Sequence, residues 1–227
     1  MEKNKLWLFG DSFVSQKIGW IRELATKKNL DIIYYGTPGG STGRMLYEIH
    51  NAIPHISPLD RVLICYTSVY RHFINGKDFG ASLVAMEDLE EVERSKGSKL
   101  FSLLDIATYT QEDIEFVQRG VNYLFTSDFL EQVYILQKTI HHNIVPALPT
   151  KNVAELFAFN NAAEFTHKTK SGLFFEELEL KNDFDKYPYL MDFIKDNGFS
   201  YNDSPIHISA HATAKFFQVY GELFKNF

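Results

Sequence analysis

Cysteine is almost missing from this chain. Cys65 is the single one in 227 residues, which excludes an internal disulfide and fits a reducing compartment. It lies inside the apolar run RVLICY, where a thiol acts as a small hydrophobe. Apolar runs of the roughly 18 residues needed to span a bilayer are absent, so no membrane partner is expected. Positive charge is in deficit: 23 Lys and Arg against 29 Asp and Glu leave a net charge of -6. No basic face announces nucleic acid, which is not an expected partner. The start, MEKNKLWLFGDS, has too short an apolar stretch for a secretory leader, so the cytoplasm is the expected location. A chain assembled there and later released would look the same.

Rings are what the sequence has in excess. With 20 Phe and 12 Tyr, aromatics make up 15% of the chain, which points to a core or cleft built on them. No internal repeat, low-complexity tract or linker divides residues 1–227. One elaborated domain is expected, large enough to bury a substantial core.

The first third alternates strand-like and helix-like patterns. KLWLFG reads as a strand, residues 14–28 as a helix, and DIIYYG as a second strand. STGRMLYEIHNAI follows as a helix, with Ser41 or Thr42 as its N-cap. RVLICYTS is continuously apolar, as a parallel strand buried on both faces should be. NIVPALPT is expected to be a fourth strand, and AHATAKFFQVYGELF a closing helix. Residues 76–130 break the rhythm, within a helical elaboration at about 76–140, and His141 and His142 read as a helix C-terminal pair. Strand-helix-strand alternation argues for an α/β fold around a mainly parallel sheet of about five strands.

Three stretches carry chemistry. Gly10-Asp11-Ser12 ends the first strand and opens a helix, so Ser12 stands where open α/β sheets bind ligands. There its N–H and the helix dipole would favour a developing negative charge. The plainer alternative is a helix cap, with Asp11 holding its own turn. YYGTPGGSTGRM follows the second strand with Gly36, Gly39, Gly40 and Gly43, a loop that either turns tightly or aims amides at an oxyanion. No Gly-Lys-Ser/Thr follows, so it is not a nucleotide P-loop. Near the C-terminus, NDSPIHISAHATAKFF brings His207 and His211. His207 is placed to serve as the base that a serine nucleophile needs. A metal pair at i and i+4 would need a glutamate after the first histidine and a third ligand, and neither is present.

Taken together, FGDSF, GTPGGSTGRM, VLICYTSVYR and HISAHATAKFF resemble, in order, the four blocks of the SGNH hydrolases, or GDSL-type esterases. The resemblance is strongest to the variants found in bacteriophage genomes. It implies a three-layer flavodoxin-like fold, with Ser12 as nucleophile and His207 as base. It also implies an oxyanion hole from the amides of Ser12 and Gly39, and His211 at a structural position. Thr42 stands where the phage-like variants often carry Asn. Thr67-Ser68 occupies the region that supplies the family's third oxyanion donor, so either a hydroxyl there substitutes or the donor is missing. The family's acid position holds Ser204, and Asp203 lies one residue further back. Either Asp203 orients His207 across a loop bulged at Pro205, or a backbone carbonyl does.

Arg44 and Arg71 both follow loops at the active edge. Each is either a structural ion-pair residue or a group that grips an anionic or carbohydrate substrate with a forked hydrogen bond. The function that the resemblance implies is serine esterase chemistry on a small-molecule or carbohydrate ester with a short acyl group such as acetyl. It needs no cofactor and no metal. The alternative is a catalytically weakened SGNH-fold binding protein, virion-associated if the chain is phage-encoded.

Overall fold

The computed structural model describes residues 3–14, 19–37, 39–68, 71–74, 76–80, 110–113, 115–116, 119, 127–158, 188–197, 210–225 and 227. Four parallel strands form its main sheet: β1 (Lys5–Gly10), β2 (Asp31–Gly36), β3 (Arg61–Tyr66) and β6 (Val153–Phe157), in the order β2-β1-β3-β6. The register sets Gly10 beside Gly36, Phe9 beside Ile64, and Tyr66 beside Phe157. β1 and β3 are central and almost wholly buried. This is why both read as unbroken apolar runs, with no alternation of polar and apolar residues.

Helices cover both faces. Leu6, Leu8, Leu63 and Cys65 point to one face, where they meet α1 (Gly19–Lys28), α4 (Leu190–Asp196) and α5 (Ala210–Tyr220). Trp20 of α1 and Phe216 of α5 stack at 4.2 Å, and Tyr220 and Phe193 extend the same ring cluster. Trp7, Phe9, Val62, Ile64 and Tyr66 point to the other face, against α2 (Thr42–Ala52) and the helical residues after α3 (Ser127–Thr139). Among the described residues, many of the aromatic rings lie in these two cores. Among the described residues, no helix is long and apolar enough to cross a membrane.

Two expectations change. The fourth strand is not NIVPALPT: Ile140–Ile144 is π-helical, Val145–Ala147 completes a helical turn, and the strand lies at Val153–Phe157. Pro146 and Pro149 explain the shift, since neither has the N–H that a ladder position must donate. Among the described residues the sheet has four strands, and the segment DSPIHIS lies outside them. The second change falls in the expected elaboration. There β4 (Arg71–Ile74) and β5 (Lys77–Gly80) pair as an antiparallel hairpin that the strand reading did not include.

The amino end of the sheet is braced by Asp60, which is 3% exposed. It accepts hydrogen bonds from the Lys5 N–H at 2.8 Å, the Trp7 indole at 2.9 Å and the Ser57 N–H at 2.9 Å.

Candidate functional site

The chain runs from β1 outward to β2, then crosses back over β1 to β3. Accordingly α1 and α2 lie on opposite faces of the sheet. The winding direction reverses between β1 and β3, and the carboxyl edge there is the crevice position of open α/β sheets. The backbone of Asp11-Ser12 follows β1 at that edge, and Thr67-Ser68 follows β3.

Gly10 makes the turn into this crevice possible. Its φ is +150°, and an added Cβ would stand 2.7 Å from the Cys65 carbonyl oxygen. Asp11 then fixes the turn. Its Oδ1 accepts from the Phe13 N–H at 3.0 Å, and its carbonyl accepts from the Val14 N–H at 3.1 Å. Ser12 consequently opens a single 3-10 turn, Ser12–Val14.

Asp11 is fully buried, and a buried carboxylate is tolerable only with a cation and hydrogen bonds around it. Its Oδ2 receives both, from Arg71 Nη1 at 2.6 Å and from the Thr67 hydroxyl at 2.9 Å. The same Nη1 lies 2.8 Å from Thr67 Oγ1 and 3.4 Å from the Gly40 carbonyl.

The loop after β2 is packed just as tightly. The Thr37 N–H donates to the Gly10 carbonyl at 3.2 Å, and the Gly40 N–H to the Thr37 carbonyl at 2.8 Å. Gly39 takes the left-handed φ of +75° that the turn requires. At Gly36 and Gly40 the missing side chain makes room for this chain's own backbone, the Val14 and Thr37 carbonyls. Part of the glycine signal is therefore loop-against-loop packing.

Ser41 caps α2, accepting from the Arg44 N–H at 3.2 Å, and donates its hydroxyl proton to Asp78 Oδ1 at 2.6 Å. Asp78, on β5, also accepts from the Ser41 N–H at 2.9 Å and from Arg44 Nη1 at 2.9 Å. Arg44 Nε completes its pairing on Glu48 at 3.1 Å. Burial pushes the Glu48 carboxyl above its ordinary range despite the pull of Arg44. From α3, Gln137 donates to Thr42 Oγ1 at 3.0 Å and to the Thr67 carbonyl at 2.8 Å.

The structure thus brings Ser12, Gly39, Thr67, Ser68 and Arg71 to one sheet edge. Thr67 and Ser68 are both buried. Arg71 pairs with Asp11, whereas Arg44 pairs with Asp78 and Glu48 at the start of α2. Asp203 and His207 lie outside the described residues, and His211 falls in the first turn of α5. Cys65 is fully buried, and burial followed by the nearby Asp11 charge raises its thiol well above the ordinary value. It sits under the turn as packing.

Two residues of this network went unread in the sequence. Asp78 had a signal, because Asn75-Gly76 between apolar stretches is a strong mark of a two-residue hairpin. Gln137 had a weaker one, a polar residue on the buried side of α3 with Val133, Tyr134 and Ile140. A separate cluster lies lower on the same face as α2. His141 Nδ1 is 2.9 Å from both Glu155 carboxylate oxygens, and the Tyr66 hydroxyl donates to Glu155 Oε2 at 2.6 Å. Burial and the neighbouring Glu155 raise the Tyr66 hydroxyl well above its ordinary value.

Among the described residues, no group of three or more His, Cys, Asp or Glu side chains could hold a metal ion. Comparison with protein-family models, with curated proteins and with solved structures returned no match.

Proposed function

We propose that this chain is a serine esterase of the SGNH type, built on a three-layer flavodoxin-like sheet. The observation that carries the reading is the position of Gly10-Asp11-Ser12. It forms a locked turn at the carboxyl end of β1, beside β3, where the winding direction of the sheet reverses. The strand order, 2-1-3 and then the next parallel strand, supports the flavodoxin-like assignment.

In the proposed reaction His207 takes the Ser12 proton, and the Ser12 oxygen attacks the ester carbonyl carbon. The amides of Ser12 and Gly39 hold the oxyanion that forms. As the tetrahedral intermediate collapses, the carbon–oxygen bond to the alcohol breaks, and the alcohol leaves with the proton from His207. Water then attacks the acyl-enzyme with His207 as base, and the acid departs. Asp203 orients His207. The Thr67 hydroxyl donates to Asp11 in this arrangement, and Ser68 follows it at the same sheet edge as the other hydroxyl of the pair. The substrate is a small acyl ester, with acetyl on a carbohydrate the first to try.

Hydrolysis of short-chain chromogenic esters by wild type and Ser12→Ala tests this reading. Ser12→Ala should lose turnover by at least about 10³-fold while keeping its fold. Folded wild-type protein with no turnover above the variant, across several acyl lengths, would support the binding-protein alternative.

A further inference from the structure

We infer that Arg71 is a positioning residue that sets the spacing of the two oxyanion amides, and not a substrate-binding group. This rests on the hydrolase reading above. One guanidinium nitrogen, Nη1, contacts Asp11 Oδ2 at 2.6 Å, Thr67 Oγ1 at 2.8 Å and the Gly40 carbonyl at 3.4 Å. These three residues belong to the loops after β1, β3 and β2. Asp11 immediately precedes Ser12, and Gly40 immediately follows Gly39, so each oxyanion amide lies one residue from an Arg71 contact.

Two amides stabilise one oxygen only when both approach it at about 2.7–3.1 Å. A misplacement of about 1 Å can cost about 100-fold in rate. Arg71 fixes that separation from behind the site, through Asp11 on one side and Gly40 on the other. Thr67 joins the same nitrogen, which adds the edge of β3 to the lock. A lysine could neutralise Asp11, but its ammonium ends one atom short of Nη1 on a flexible stem, so it would not reach all three acceptors together.

The competing role is a grip on an anionic substrate. A grip through Nη1 would require Arg71 to leave Asp11, whose side chain is 0% exposed while that of Arg71 is 21% exposed. The carboxylate would then be buried without its cation, which is strongly unfavourable. Asp11 therefore holds Arg71 in place, and the hairpin that begins at Arg71 joins the lock through Asp78 on the Ser41 N–H and hydroxyl.

The test measures kcat and KM for wild type, Arg71→Lys and Arg71→Gln on 4-nitrophenyl acetate and on the anionic 4-nitrophenyl hemisuccinate. Both variants should lower kcat by about 30- to 100-fold on both esters, with KM within about twofold of wild type. A KM increase confined to the anionic ester would overturn the inference in favour of substrate contact. Unchanged kcat on both esters would overturn it outright. If Arg71→Gln does not fold, Asp11→Asn/Arg71→Gln removes the stranded charge. That double variant should fold and still show the loss in kcat, and near-normal kcat in it would contradict the inference. If wild type itself proves inactive, the hydrolase reading fails separately, and the lock is read from backbone amide resonances. Those of both Ser12 and Gly39 should move together in Arg71→Lys, and an unmoved Gly39 would overturn the lock.

Discussion

At Gly10 the backbone leaves β1 with a φ of +150°, and the Cys65 carbonyl fills the space where a side chain would begin. Even the smallest addition there meets backbone first, with Val14 Cγ2 next at 3.0 Å, and that backbone cannot yield because Cys65 belongs to the paired central strand β3. Gly10→Ala should therefore lose about 2–4 kcal/mol of stability through strain and overpacking. Urea denaturation followed by circular dichroism measures it, and a loss below about 0.5 kcal/mol would show that the turn can relax. Asp11 was legible as a turn-holding residue because a short acid after glycine commonly bonds the amide two residues on. What could not be read was its second oxygen, which is satisfied by Thr67 and Arg71, 56 and 60 residues away in the chain. Local chemistry is written in local sequence, while a buried ion pair depends on which strands become neighbours.

Among the elements, β1, β2 and β3 stand on the residues that the apolar runs indicate, and α2 is capped by Ser41, one of the two candidates. They were legible because a strand buried on both faces needs apolar residues at every position, and a cap needs a short hydroxyl at one. β6 was not, since VAELF is short and contains Glu155, a charged residue whose partners His141 and Tyr66 appear only in the folded chain. The hairpin was passed over although Asn75-Gly76 marked it, because its strands are only four residues each. Asp78 ties that hairpin to α2 at the carboxyl edge, and Asp60 ties β1 to the loop before β3 at the amino edge. The two acids divide the labour by sheet end, so their loss should read differently. Asp60→Ala leaves the buried Trp7 indole and two backbone N–H groups without their acceptor, which should cost about 3 kcal/mol. Under the proposed hydrolase reading, kcat on 4-nitrophenyl acetate for the folded fraction should stay unchanged. Denaturant titration beside turnover corrected for folded protein checks both halves, and a fall in kcat would mean that the amino end communicates with the site.

For the molecule as a whole, four parallel strands with helices on both faces reproduce the strand-helix alternation of the first third of the sequence. Among the described residues, many of the aromatic rings lie in the two cores. The carboxyl edge gathers Ser12, Gly39, Thr67, Ser68 and Arg71 from segments scattered over 60 residues, and the lock that joins them is buried, charged and shared by three loops. Such an edge can support a nucleophile only if Ser12 reacts as one. The most direct measurement is exposure of the full-length protein to a fluorophosphonate probe, followed by intact mass and peptide mapping. One equivalent of probe should attach, on Ser12, in folded wild-type protein and not in Ser12→Ala. Folded wild-type protein that remains unlabelled, or carries the probe on another residue, would contradict Ser12 as the nucleophile.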